Sequence, residues 1–123
     1  MTLDVVIVGC GRVAGEFDDP AKGNSVSHAA AFSRNEGFRL VGCVDPDEKK
    51  ALSFAAKHGI CHAGTDLSEI IQRSAPDIVS VTSPDETHFS IAKQLLDGSL
   101  PAPRLIFLEK PACSTMVELE ELV

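Results

Sequence analysis

The chain opens with a run of mostly branched apolar residues, Leu3-Asp4-Val5-Val6-Ile7-Val8, that passes without a break into Gly9-Cys10-Gly11-Arg12-Val13-Ala14. No other feature restricts the fold as much. The run is nearly continuous instead of alternating, as expected of a strand buried on both faces, and such strands belong to parallel sheets covered by helices. The glycines then require a tight turn at the end of the strand, in the pattern G-x-G-x-x-A. Gly9 permits the turn. Gly11 carries no Cβ to obstruct an approaching group, and Ala14 is small enough for a helix to pack close to the strand.

The rest of the chain repeats the alternation. Phe38 to Val44 is a second apolar run, stopped by Asp45-Pro46; Ile60-Cys61-His62 is a short third, Asp77 to Thr82 a fourth and Arg104 to Glu109 a fifth. Helical stretches separate them. Ser27 to Asn35 is rich in Ala and Phe, and Asp47 to His58 has acid in its first turn, Lys57 in its last and Gly59 as a stop. Asp66 opens a third helix carrying Leu67, Ile70 and Ile71, and Ser83-Pro84-Asp85 opens a fourth that runs through His88 and Leu95 to Gly98. Another begins after Ser114, with Met116, Val117, Leu119 and Leu122. Five strands interleaved with helices in this way predict an α/β fold, a doubly wound parallel sheet of the Rossmann type with strand order 3-2-1-4-5. Residues 1–123 are expected to form one dinucleotide-binding domain, cut one helix after its fifth strand.

Composition excludes several partners. The formal charge is −7, whereas nucleic acid and anionic membranes both reward clustered positive charge. No apolar run approaches the roughly 20 residues that span a bilayer, and the start has no basic segment of a signal peptide. A soluble cytoplasmic protein is expected. Four cysteines (Cys10, Cys43, Cys61, Cys113) contain no Cys-x-x-Cys pair and no zinc ligand set, so four buried thiols in a reducing compartment, and no metal, are expected. Trp and Tyr are absent, which excludes chemistry that needs a catalytic Tyr.

A turn of this kind between a strand and a helix can hold a pyrophosphate, because unpaired backbone N–H groups and the helix dipole favour an anion there. Asp45 ends the second strand, where a carboxylate accepts hydrogen bonds from ribose hydroxyls and repels a 2′-phosphate; the same residue before Pro46 also suits a plain turn, and both roles can hold at once. From Leu3 to Asp45 the unit exceeds the roughly 30 residues expected, and the excess falls in the polar stretch 16–25, which reads as a surface loop. Two further segments fall on the same edge of the sheet. Thr82-Ser83-Pro84-Asp85 with His88 follows the fourth strand, and Glu109-Lys110-Pro111 follows the fifth, with Pro111 holding Lys110 extended at the strand tip.

Together the glycine turn, Ser27-His28-Ala29, Asp45, Ser83-Pro84-Asp85-x-x-His88 and Glu109-Lys110-Pro111 resemble the N-terminal portion of the glucose-fructose oxidoreductase, inositol dehydrogenase and rhizopine catabolism (Gfo/Idh/MocA) family. The resemblance covers nearly the whole chain, and the Glu-Lys-Pro triplet is its most specific element. It implies a Rossmann domain followed by an α/β domain that supplies most of the substrate site and the homo-oligomer interface. It also implies oxidation or reduction of hydroxyl and carbonyl groups on small sugar-like or polyol substrates. By the resemblance Lys110 is the catalytic lysine, and Gly9, Cys10, Gly11, Arg12, Val13, Asp45, Thr82, Ser83, Pro84, His88, Glu109 and Lys110 are the cofactor side. NAD is expected over NADP, since Pro46 and Asp47, not an Arg, follow Asp45. Asp85 stands where the family usually has Asn, which puts an amide contact to the cofactor in doubt. A non-catalytic, dinucleotide-dependent regulator is the alternative reading.

Overall fold

The computed structural model describes residues 2–11, 14, 27–108 and 120. Arg12, Val13, the 16–25 stretch, Glu109, Lys110 and Cys113 lie outside the described residues, as does most of the segment after Ser114.

The element order is β1 (Leu3–Val8), α1 (His28–Ser33), β2 (Phe38–Val44), α2 (Glu48–His58), β3 (His62–Gly64), α3 (Leu67–Ser74), β4 (Ile78–Val81), a 3₁₀ turn (Asp85–Thr87), α4 (His88–Leu96) and β5 (Leu105–Leu108). All four pairings are parallel, and the sheet runs β3-β2-β1-β4-β5. That is the strand order expected from the sequence. β1 sits at its centre, with Val5, Val6 and Ile7 wholly buried, because both of its faces are covered.

The side-chain alternation of a strand divides the core in two. Ile7 and Cys43 face α1 and α2, where Ala29, Phe54 and Ala55 complete one cluster. Val6, Val8 and Val79 face α3 and α4, against Ile70, Ile71 and Leu95. Ala14 is buried in the first cluster, and its carbonyl accepts the N–H of Ala29 at 2.8 Å, so the chain after the glycine turn does lie close to the sheet.

Local chemistry sets the ends of the helices. Ser27, Asp47 and Asp66 are the N-caps of α1, α2 and α3, and each accepts backbone N–H groups from the first turn of its helix. Gly59 closes α2.

Three expectations need correction. The third strand begins at His62, not Ile60, because the Ile60 N–H is still engaged by the Ala55 carbonyl of α2 at 2.9 Å. Cys61, which precedes the pairing on this edge strand, is exposed and not a core thiol; Cys10 and Cys43 are buried. The fourth helix does not open at Ser83: the Thr87 N–H closes a turn on the Pro84 carbonyl at 2.9 Å, and α4 begins only at His88.

Candidate functional site

The strand order places the exits of β2, β1 and β4 side by side, and chain direction across the sheet reverses between β1 and β4. Open α/β sheets bind ligands in the crevice outside such a reversal. Gly9 forms its floor. Its φ is +91°, and a Cβ built on it would lie 2.5 Å from the Ser83 nitrogen and 2.6 Å from the Ser83 Cα. The contact is backbone against backbone, so only glycine fits there. Gly11 is the opposite case. Among the described residues a Cβ there would meet nothing within 4 Å.

The turn is tied to both neighbouring strands. Gly9 donates to the Val44 carbonyl at 2.7 Å, and the Thr82 N–H donates to the Val8 carbonyl at 2.8 Å. The Thr82 hydroxyl donates to the Gly9 carbonyl at 2.7 Å and reaches the Val8 carbonyl at 3.1 Å. Thr82 therefore enters the site as a clamp on the glycine turn.

Asp45 takes the turn role weighed for it. Oδ1 accepts the Asp47 N–H at 2.9 Å, the turn role expected of an Asp before Pro46. Oδ2 accepts the Cys10 N–H at 2.9 Å, a bond between residues 35 apart that no local pattern foreshadows. The carboxylate is thus fixed at the edge of the glycine turn, and a carboxylate has about four lone-pair sites, so it retains acceptor capacity for a hydroxyl.

Beside it lies a groove of about 250 Å³ whose lining includes Gly9, Asp45, Pro46, Thr65, Ile91 and Gln94. Thr65, Leu67, Ile91 and Gln94 were not expected at the site from the sequence. The signal was present in the strand order, which brings the start of α3 and one face of α4 to the same edge, but nothing in the local residue types marks them. Ser83 and Pro84 form the remaining wall. His88 lies apart from the open space: its ring is fully buried, and Nε2 is 2.8 Å from the Ser83 carbonyl.

Gly9, Cys10, Gly11, Asp45, Thr82, Ser83 and Pro84 are therefore brought together, with His88 directly behind them. They form a glycine turn, a fixed carboxylate and an adjoining groove at one edge of the sheet. Among the described residues no three His, Cys, Asp or Glu side chains are grouped to hold a metal ion, and no helix is long and apolar enough to cross a membrane.

Residues 3–123 match the family model of the oxidoreductase family GFO_IDH_MocA, with an NAD-binding Rossmann fold. The chain is 28% identical over 105 residues to Oxidoreductase P35 of Formosa agariphila, covering 85% of this chain and 28% of that protein. It is 31% identical over 88 residues to scyllo-inositol 2-dehydrogenase (NADP(+)) IolU of Bacillus subtilis, covering 72% and 26%. Among solved structures, GenD2 from gentamicin A biosynthesis in complex with NAD superposes with a TM-score of 0.79 at 25% identity, over 98% of this chain and 30% of that one. The chain spans under a third of the length of these relatives.

Proposed function

Because the chain belongs to the Gfo/Idh/MocA oxidoreductase family, we propose that it is the cofactor-binding portion of an NAD-dependent dehydrogenase acting on a hydroxyl or carbonyl group of a sugar, cyclitol or related small molecule. The observation that carries the proposal is the crevice at the β1–β4 reversal. Gly9 is packed on Ser83, Gly11 is clear of the other described residues, and the Asp45 carboxylate is bonded to Cys10 N–H at the lip of a groove of about 250 Å³.

In this reading Gly9 to Val13 carry the pyrophosphate, and Asp45 takes the adenosine ribose. A fixed carboxylate at that position disfavours a 2′-phosphate, which supports NAD over NADP. The relatives give no preference between the two: IolU is named for NADP and GenD2 was solved with NAD.

A bound nicotinamide would supply hydride exchange with a carbinol carbon. Lys110, two residues after β5 in the sequence, would hold or release the proton at the substrate oxygen, and Glu109 before it would contribute to cofactor binding. Homologues named as inositol and glucoside dehydrogenases support the substrate class. A further domain in a longer protein would complete the substrate site and join the subunits into a homo-oligomer.

The test is calorimetric titration of the chain with NAD⁺ and NADP⁺. Tighter binding of NAD⁺ is expected. Equal or tighter binding of NADP⁺ would overturn the role of Asp45, and no binding of either would overturn the site.

A further inference from the structure

We propose that His88 is a positioning residue that sets the nucleotide crevice from behind, through its hydrogen bond to the Ser83 carbonyl; the inference rests on reading that crevice as the nucleotide site. The Ser83–Pro84 peptide has no N–H, since Pro84 lacks one, so its carbonyl is the only polar handle by which the peptide plane can be held. That handle is 2.8 Å from His88 Nε2. A carbonyl only accepts, so Nε2 carries the proton.

The opposite side of Ser83 faces the glycine turn, with its nitrogen and Cα where a Gly9 Cβ would go. Ser83 is thus gripped between Gly9 and a fully buried imidazole on α4. The rest of the turn is closed on itself. The Thr87 hydroxyl donates to the Pro84 carbonyl at 2.6 Å, which leaves the Ser83 hydroxyl to donate to Thr87 Oγ1, also at 2.6 Å. Thr82 completes the link by donating to the Gly9 carbonyl. Displacing Ser83 therefore displaces Thr82 and the Gly9 turn with it. His88 acts on nucleotide through this turn without being exposed to the crevice.

The experiment compares the full chain with His88→Gln, whose amide N–H can reach as far as Nε2, and His88→Leu, which keeps bulk and loses the donor. NAD⁺ affinity is read by calorimetry, and hydrogen exchange at the Thr82 amide, which bonds Val8 across β1 and β4, is read by NMR. Loss of one such bond is expected to weaken NAD⁺ binding about tenfold in His88→Leu and to speed exchange at Thr82 by a similar factor, with His88→Gln within about threefold of the parent in both. If His88→Leu does not fold, His88→Asn, whose amide is too short to reach Ser83, takes its place. Parent-like behaviour of the donor-less variant, or equal defects in it and in His88→Gln, would overturn the proposal. If the parent binds no nucleotide, the functional reading fails, and the exchange contrast alone decides whether His88 positions Ser83.

Discussion

The two glycines of the turn separate a structural requirement from a functional one. At Gly9 a methyl group would collide with the backbone of Ser83, which has no flexible end to move aside, and φ is +91°. Left-handed strain of about 1–2 kcal/mol and overpacking of about 1–3 kcal/mol add, so Gly9→Ala should lower stability by roughly 2–5 kcal/mol in urea unfolding. At Gly11 the same methyl meets nothing among the described residues. Gly11→Ala should leave stability within about 0.5 kcal/mol and weaken NAD⁺ binding, because the pyrophosphate is proposed to approach there. Loss of stability without loss of affinity at Gly11 would reverse its assigned role. Asp45 invites a similar separation. Asp45→Asn keeps an acceptor for one of the two N–H groups but removes the charge, so the preference for NAD⁺ over NADP⁺ should narrow. Asp45→Ala also leaves the Cys10 and Asp47 N–H groups without this partner and should lower stability by about 1–3 kcal/mol besides narrowing the preference. An unchanged preference in both variants would show that the carboxylate does not face the ribose.

At the scale of elements, the strands were legible because burial on both faces writes them as continuous apolar runs; β1 and β2 begin and end at the residues expected. Where tertiary bonding decides, the pattern is silent. Nothing in Ile60-Cys61 shows that α2 still holds Ile60, or that Thr87 closes a 3₁₀ turn on Pro84. The seating of α3 was equally hidden. Ile70 lies over Gly42 of β2, where a Cβ would come within 2.9 Å of its Cγ2. Gly42→Ala should therefore cost about 1–3 kcal/mol by overpacking, and Ile70→Ala about 2–5 kcal/mol by leaving a cavity. Combining the two should cost less than their sum, since each change relieves the other, and strict additivity in the double-mutant cycle would contradict this packing. The end of α3 offers a gain. Ala75 caps it with φ +41°, a conformation that costs a residue with a Cβ about 1–2 kcal/mol, so Ala75→Gly should raise the melting temperature despite the added entropy of the unfolded chain. Beyond α4, hydrogen bonds from the Ser99 hydroxyl and N–H hold the Asp97 carboxyl below its ordinary value of 3.8. A depressed carboxyl adds stability above its unfolded pKa that is lost as pH falls through the lower folded one. Ser99→Ala should move the Asp97 titration upward in NMR.

For the whole molecule, the site divides by how its residues are specified. Gly9, Gly11 and Asp45 could be found because a turn, a close approach and a strand-end charge each demand a residue type. The groove wall of Thr65, Ile91 and Gln94 could not, because its place depends on how three elements meet and many side chains would serve. The chain also spans under a third of its relatives' length, so the catalytic proposal calls for a test in a protein of that length. The chain alone should bind NAD⁺ and turn over no polyol; robust dehydrogenase activity from residues 1–123 would show that a second domain is unnecessary. In a protein of the relatives' length, oxidation of a carbinol carbon leaves a proton to be taken from the substrate oxygen, and reduction requires one. An ammonium within hydrogen-bond reach can hold that proton or polarise the oxygen, a role worth about 10²–10⁴-fold in rate. Lys110→Ala should therefore lower kcat by at least about a hundredfold and leave NAD⁺ affinity within a few-fold, because the pyrophosphate and ribose roles are assigned to other residues. Paired nucleotide titrations and steady-state rates measure the two effects separately. A kcat near that of the parent would make Lys110 a charge at a strand end. Binding without turnover by the unsubstituted protein would then favour a dinucleotide-dependent regulator over a dehydrogenase.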